Sequence, residues 1–401
     1  MRQIDKPGKH QAFGRRAFLK AGAAVGVAGL PGFAFAQAAK MRVGLMLPYT
    51  GTYAQLGVAI TNGFKLAVAE SSGKLGGREV EYFAVDDESD PGKAADNANA
   101  LVTRDKVDVL VGTVDSGVVT AMVKIARESG TLLVIPDAGA DAATGVMCAP
   151  NIFRTSFTNW QLAYPMGRVL ANRGIKKVVT LAWNYGTGVE SVGGFKQGFT
   201  KAGGTVAKEL LLPFPGVEFQ PLLTEIASIK PDAVFAAFAG GGAAKFLKDW
   251  QAAGLKGKIG LYGTGFLTDG ILGAAGDAAR DIETTLHYGD GIETPKNKTF
   301  RLAYAKAYKR QPDVYAVQGY DAGLLLAAGL KAVKGDMSRK KELYAAMEKT
   351  RIDSPRGIWT LSKAHNPIQD IYLRKVVGGE NKVMRVAYRA LADPARGCKM
   401  V

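Results

Sequence analysis

From residue 40 onward the chain alternates short, largely apolar runs with longer segments whose apolar residues return every three or four positions. The runs at 41–47, 79–85, 107–111 and 132–135 are largely apolar rather than strictly alternating. That pattern suits strands covered on both faces, as in a parallel sheet. Between them, 54–71, 91–104 and 118–128 have helical spacing, with Ala59, Phe64, Ala67 and Val68 on one stripe and Pro91 at a first helical turn. A second series follows, with helices expected at 160–172, 189–202, 220–229 and 243–253. They alternate with strands at 177–183, 205–212, 233–238 and 259–262. Regular alternation of this kind predicts two doubly wound, Rossmann-like α/β lobes.

After residue 280 the order changes. A strand-like run at 281–288 precedes three helices at 295–310, 314–333 and 339–349, and β-type segments at 357–361, 370–377 and 383–389 close the chain. The economical arrangement returns the three helices to the first lobe and lets the last strands finish the second. Lobe 1 then comprises 37–156 plus 286–362, and lobe 2 comprises 157–285 plus 363–401. The chain crosses between them near 153–157, 284–288 and 363–369. Three short crossings make a three-segment hinge, each absorbing a small dihedral change.

The first 36 residues read differently. Arg2, Lys6, Lys9, Arg15, Arg16 and Lys20 form a basic start, an Ala/Gly-rich apolar stretch follows, and Ala34-Phe35-Ala36 fits a small-x-small cleavage site. This is the pattern of an export signal, and its core is too short for a membrane span. The run Gly14 to Lys20, GRRAFLK, resembles the twin-arginine export motif, with Gly14 where Ser or Thr is commoner. Removing this leader changes the charge balance. Of the formal net charge of +16, six basic residues against Asp5 account for +5, leaving +11. The remaining basic residues are dispersed, so a solvated basic surface is expected rather than nucleic-acid binding. An exported protein with two cysteines, Cys148 and Cys398, suggests one disulfide, two free thiols being the alternative. With only His287 and His365 beyond the leader and no paired Cys/His spacing, no metal site or cofactor is expected.

In open α/β sheets ligands sit beyond the carboxyl ends of the strands, which directs attention to six loops. They hold Thr50-Gly51-Thr52-Tyr53, 112–117 with Ser116, 136–141, 184–188 with Tyr185, 239–242 with Gly240, and 263–266 with Gly265 and Phe266. Small residues let backbone N–H groups approach a ligand, and the helix starts behind them favour an anion. Thr52 and Ser116 add hydroxyl donors, while Tyr53, Tyr185, Phe238 and Phe266 add apolar walls. A small carboxylate with a hydrophobic body fits that chemistry. Each loop taken singly is equally explained by turn and cap requirements. Enzyme signatures are missing from the sequence: it has no Gly-x-Ser-x-Gly elbow, no His-Glu-x-x-His and no phosphate loop. The run Asp86-Asp87-Glu88 reads as a solvated turn, a metal site being the alternative.

The opening VGLMLPYTGTYAQLG, with VGTVDSG, PDAGAD, NYGTG and GYDAGLLLAAG, resembles the type I periplasmic solute-binding proteins of ABC importers, of the leucine/isoleucine/valine-binding kind. The resemblance spans the whole chain after the leader. It implies a periplasmic binding protein-like I architecture, closing on a ligand and delivering it to an ABC permease in the inner membrane. It implies a ligand carboxylate held by Ser116 and by backbone at Ala138, Gly139 and Ala140, with Tyr185 closing from the second lobe. Amino-acid-binding members place an acidic side chain where this chain has Gly263-Thr264-Gly265-Phe266. That departure, with PDAGADAATG, NIFRTSFTNW and FAGGGAAKFLKDW, is similar to members taking aromatic or other hydrophobic carboxylates. Asp115, Asp137 or Asp290 could still receive an ammonium, which keeps branched-chain amino acids open. The expected protein is therefore a non-catalytic monomer in the periplasm, exported through the Tat translocase. The competing classes are a ligand sensor, binding a short amide or serving a receptor kinase, and a secreted α/β enzyme.

Overall fold

The computed structural model describes residues 39–401; the expected export signal and its Arg15-Arg16 pair lie outside them. The first sheet holds β1 (Met41–Leu47), β2 (Lys74–Leu75), β3 (Arg78–Asp86), β4 (Val109–Gly112), β5 (Leu132–Ile135) and β6 (Ile152–Arg154) in the order β2-β3-β1-β4-β5-β6. All pairings among β1, β3, β4, β5 and β6 are parallel. Helices α1 (Ala54–Glu70), α2 (Pro91–Thr103) and α3 (Ser116–Ser129) connect them. The chain then builds α4 (Asn159–Asn172), β7 (Lys177–Trp183), α5 (Gly186–Thr200), β8 (Thr205–Leu212), α6 (Gln220–Ile229), β9 (Ala233–Ala237), α7 (Gly240–Ala252), β10 (Gly260–Thr264), the one-turn α8 (Leu272–Ala275) and β11 (Glu283–Leu286). Next come α9 (Pro295–Tyr308), α10 (Val314–Ala332) and α11 (Lys340–Lys349), and then β12 (Ile352–Ser354), β13 (Gly357–Leu361), β14 (Pro367–Val377) and β15 (Glu380–Leu391). The second sheet runs β12-β13-β14-β11-β10-β9-β7-β8, with β15 paired to β14.

The strands at the heart of each sheet are covered on both faces. Every residue of β4, β5 and β9 is buried. Helix starts are fixed by side chains: Asp90 accepts from Gly92 N, Asp115 from Gly117 N and Val118 N, and Thr158 from Gln161 N. Of the late helices, α10 and α11 pack on elements of the first sheet. Helix α10 lies against α1 so closely that a Cβ on Gly63 would sit 1.9 Å from the Ala316 carbonyl oxygen, and one on Gly319 1.9 Å from that of Ile60. Leu343 and Met347 of α11 share a core with Met41 and Val43.

The hairpin β12–β13 belongs to both halves. Its hydrogen bonds run through β14 into the second sheet, whereas Ile352 and Trp359 are buried in the first core. Two crossings are tied together here: Arg154 N donates to His365 O at 3.0 Å, and the His365 ring stacks on Phe153 with centroids 3.9 Å apart. Among the described residues no helix is long and apolar enough to cross a membrane.

Cys148 and Cys398 form a disulfide across 250 positions of sequence. It pins the C-terminal segment beside the loop that precedes β6. Closing so long a loop constrains the unfolded chain, and losing such a bond costs about 2–5 kcal/mol. Replacing both cysteines with serine is expected to lower unfolding free energy by about that amount in a urea titration, with the native circular dichroism retained.

Candidate functional site

The carboxyl ends of both sheets face one cleft, and the helices that follow them start at it. Ser116 is the first residue of α3, and Tyr185 directly precedes α5. The two helix starts come together: a Cβ on Gly186 would stand 3.1 Å from Ser116 Cβ. Ser116 Oγ and Thr187 Oγ1 are 2.8 Å apart, and Tyr53 Oη and Tyr185 Oη are also 2.8 Å apart. Asn159 Nδ2 donates to Glu190 Oε2 at 2.7 Å and to Ser116 Oγ at 3.3 Å. At α3 the Asp115 side chain takes the Gly117 and Val118 N–H groups, whereas α5 has no side-chain cap, so the uncapped α5 start, with the Ser116 and Thr187 hydroxyls, makes this end of the cleft receptive to an anion.

The enclosed space is lined by Tyr53, Asp137, Gly139, Tyr185, Phe266 and Tyr315, with Leu56, Val114, Phe157, Asn159, Thr187 and Ala239 completing the wall. Its ring-bearing wall is continuous: Phe157 packs on Phe266 at 4.9 Å between centroids, and Phe266 stacks on Tyr315 at 5.7 Å. The free volume is about 20 Å³, roughly one water molecule's worth. A ring-sized ligand therefore enters only when the cross-cleft hydroxyl bridges part. A larger hollow of about 300 Å³ lies at the opposite end of the second sheet, between Trp250, Lys258, Tyr262 and Arg280. It lies away from the strand-end loops and both helix starts.

Of the residues expected from the sequence, Tyr53, Gly139, Tyr185 and Phe266 line the cavity, and Ser116 reaches it through Thr187 and Asn159. Gly139 has no room for a side chain, since a Cβ would meet Asn159 Oδ1 at 2.2 Å. The others sit behind the wall. The carbonyls of Ala138 and Ala140 face away, accepting from Arg154 at 2.9 and 2.6 Å. Thr52 packs its carbonyl against Gly240, whose positive φ of 57° brings α7 up to the opening loop. Phe238 is drawn into an aromatic cluster with Trp183, Phe219 and Phe246. Gly265 is pressed against Arg374 and Leu286.

Among the three candidate acids, Asp115 is occupied in capping α3, and Asp290 pairs with Arg301 at 2.9 Å. Asp137 lines the cavity. The 86–88 run is a brace for the opening loop: Asp86 accepts from Tyr49 N and Thr50 Oγ1, and buried Asp87 accepts from Thr113.

Sequence reasoning missed Phe157, Asn159 and Tyr315. Phe157 and Asn159 come from a crossing segment and the helix it leads into. Tyr315 comes from the first turn of α10, where the Asp313 cap, accepting from Ala316 N, was the available signal.

At the rim, Asp141 N donates to Glu190 Oε2 at 3.1 Å, joining the first-sheet side to α5. Burial, reinforced by the nearby Glu190 and Asp393 charges and opposed by Arg154, pushes Asp141 up to about 7. Burial also raises Glu190.

A family model described as periplasmic binding protein matches residues 40–381. The Leu/Ile/Val-binding protein homolog 6 of Brucella abortus is 30% identical over 350 residues, covering 85% of this chain and 88% of that protein. A solute-binding protein of an ABC transporter from R. palustris, solved in complex with benzoate, is 52% identical with a TM-score of 0.88, covering 90% of this chain and 99% of that one. Another from Rhodopseudomonas palustris BisB5, solved with 3,4-dihydroxybenzoic acid, is 32% identical with a TM-score of 0.83, covering 88% and 99%. The chain belongs to the periplasmic binding protein family.

The raised carboxyls set a direction for pH dependence. A carboxyl whose folded pKa exceeds its unfolded value holds its proton in the native state, so stability falls as pH rises through that window. Asp87, Asp269 and Asp321, each pushed up to about 6 chiefly by burial, act with the same sign as Asp141. The melting temperature is expected to be higher at pH 5.5 than at pH 8. Glu190→Gln, which removes one of the facing charges, is expected to flatten that difference in a calorimetric series.

Proposed function

We propose that this protein is the extracytoplasmic solute-binding component of an ABC importer, capturing a small aromatic carboxylate between its two lobes and passing it to a membrane permease. The observation that carries this reading is the pairing of two opposed helix starts at one end of the cavity with a wall of Phe157, Phe266 and Tyr315. The helix starts, with Ser116 and Thr187, suit a carboxylate. The ring wall suits an aromatic body. The benzoate complex of the 52%-identical relative supports the same class.

In this reading the lobes are 37–156 with 286–362 and 157–285 with 363–401, turning about the crossings. Ser116, Gly139 and Tyr185 are the anchors. The mature protein acts as a monomer in the periplasm, reached by twin-arginine export. It performs no chemistry on what it carries. Branched-chain amino acids are the second reading, favoured by the Brucella relative's name, and they require a charged acid for the ammonium.

Isothermal titration of the purified mature protein with benzoate and L-leucine tests this. Benzoate is expected to bind and leucine to be at least about tenfold weaker, a gap of roughly 1.4 kcal/mol. Ser116→Ala is expected to weaken benzoate by about tenfold or more, since a hydrogen bond to a charged group contributes roughly 1.5–3 kcal/mol. Leucine binding without benzoate binding would overturn the reading.

A further inference from the structure

The cavity has a second polar end that the anion-receptive helix starts do not explain. Asp137 Oδ1, Tyr315 Oη, Gln318 Oε1 and His287 Nδ1 are all buried without a hydrogen-bond partner among the described residues. The four residues are each no more than 3% exposed. They come from three separate places: the loop after β5, the first turns of α10, and the residue following β11. Asp137 and Tyr315 line the cavity, and Gln318 and His287 stand behind, with Gln318 Nε2 3.4 Å from His287 Nε2.

Buried polar atoms without partners are uncommon in folded proteins. Elsewhere in this cavity the polar groups are matched, Tyr53 with Tyr185, Ser116 with Thr187 and Asn159 with Glu190. Other buried atoms without partners, such as Ser89 Oγ and Thr180 Oγ1, lie away from this cavity, and the unmatched ones that line it are on Asp137 and Tyr315.

We propose that Asp137 and Tyr315 form a specificity subsite for a hydroxyl group on the ring of the aromatic carboxylate, so that the preferred ligand is a hydroxybenzoate rather than benzoate. This rests on the aromatic-carboxylate reading above. The carboxylate occupies the end bounded by Ser116 and the two helix starts, the ring lies along Phe157 and Phe266, and the ring hydroxyl meets Asp137 and Tyr315. A phenol is donor and acceptor at once, so it satisfies a carboxyl oxygen and a tyrosine hydroxyl together.

The charge state at this end supports a neutral partner. Burial pushes the Asp137 carboxyl well above its ordinary range, Asp313 adds to the rise, and Gln318 and Arg154 oppose it. Burial holds His287 well below its ordinary value, with Arg356 and Arg374 adding to the fall. An uncharged carboxyl beside an uncharged imidazole complements a hydroxyl better than an ammonium.

The test is titration calorimetry of the mature protein with benzoate, 4-hydroxybenzoate and 3-hydroxybenzoate, read as the ratio of dissociation constants. At least one hydroxybenzoate is expected to bind about tenfold or more tightly than benzoate, as expected when a buried partner would otherwise stay unpaired. Tyr315→Phe and Asp137→Ala, checked for folding by melting temperature, are each expected to bring the ratio toward one. Wild-type protein that binds benzoate as tightly as both hydroxybenzoates overturns the inference alone. A preference that survives both substitutions also overturns it. Binding of none of the three acids overturns the aromatic-carboxylate reading on which it stands.

Discussion

Three buried guanidinium groups hold the cleft and its crossings in register. Arg154, Arg356 and Arg374 are at most 4% exposed. A charge so placed needs most of its donors matched; the terminal nitrogens are, while Arg154 and Arg374 leave Nε without a hydrogen-bond partner. Arg154 donates to the carbonyls of Ala138, Phe157 and Ala140. Arg356 donates to those of Thr155 and Ser156 and lies 2.8 Å from Asp321. Arg374 donates to the carbonyls of Tyr288 and Gly265 and pairs with Asp269 at 2.6 Å. The planar fork of arginine can take several carbonyls at fixed angles, which a lysine cannot. Desolvation outweighs these contacts enough to pull Arg154 down to about 10, yet it leaves the group charged at any physiological pH. Arg154 thus ties the 138–140 loop to the 154–157 segment, Arg356 ties the β12–β13 turn to that segment and to α10, and Arg374 ties β14 to the loop carrying Gly265.

That coupling explains why the cavity's contacts are arranged in two tiers. Groups behind the wall are fixed by buried charge and do not reorganise cheaply. Groups across the cleft meet through hydroxyl pairs, Tyr53 with Tyr185 and Ser116 with Thr187. Neutral hydrogen bonds of this kind contribute only about 0.5–1.5 kcal/mol net each. They hold the halves together weakly and can be exchanged for bonds to a ligand. Moving a two-state equilibrium from mostly open to mostly closed requires a differential affinity of about 5.5 kcal/mol. An anion shared by two helix starts and a ring sandwiched between aromatic side chains can supply that only when both lobes touch it together.

The ranges 41–47, 132–135, 177–183 and 205–212 agree with β1, β5, β7 and β8 end to end; burial on both faces made β1, β5 and β7 legible as largely apolar runs, whereas β8 is mostly exposed. Helices α5 and α7 begin three residues before the expected 189 and 243, because glycines occupy their first turns. Glycine disfavours helix, so 186–188 and 240–242 look like loop. The structure needs them there for close approach: a Cβ on Gly188 would meet the Trp183 carbonyl at 1.9 Å, and one on Gly242 the Trp183 ring at 2.4 Å. Strands β2, β6 and β12, of two or three residues, carry no periodicity to read. The rule that ligands sit past strand ends pointed to Ser116, Gly139 and Tyr185, of which Gly139 and Tyr185 line the cavity. It could not find Tyr315 or Phe157, which reach the cavity from a helix start and a crossing. It also pointed to Phe238, which follows β9 and packs against Trp183.

The distribution of acids decides what kind of guest the cleft can hold. An α-amino acid presents its ammonium beside its carboxylate, so its acid partner must be charged and must stand near the helix starts. Here the cavity's carboxylate is Asp137, buried where ionisation is penalised. The second-lobe loop from Gly263 to Phe266 offers Phe266 to the cavity and no acid. Asp269, a few residues on, is committed to Arg374. A charged ammonium would therefore have to drive the ionisation of Asp137 against its desolvation, whereas a neutral ring substituent would not.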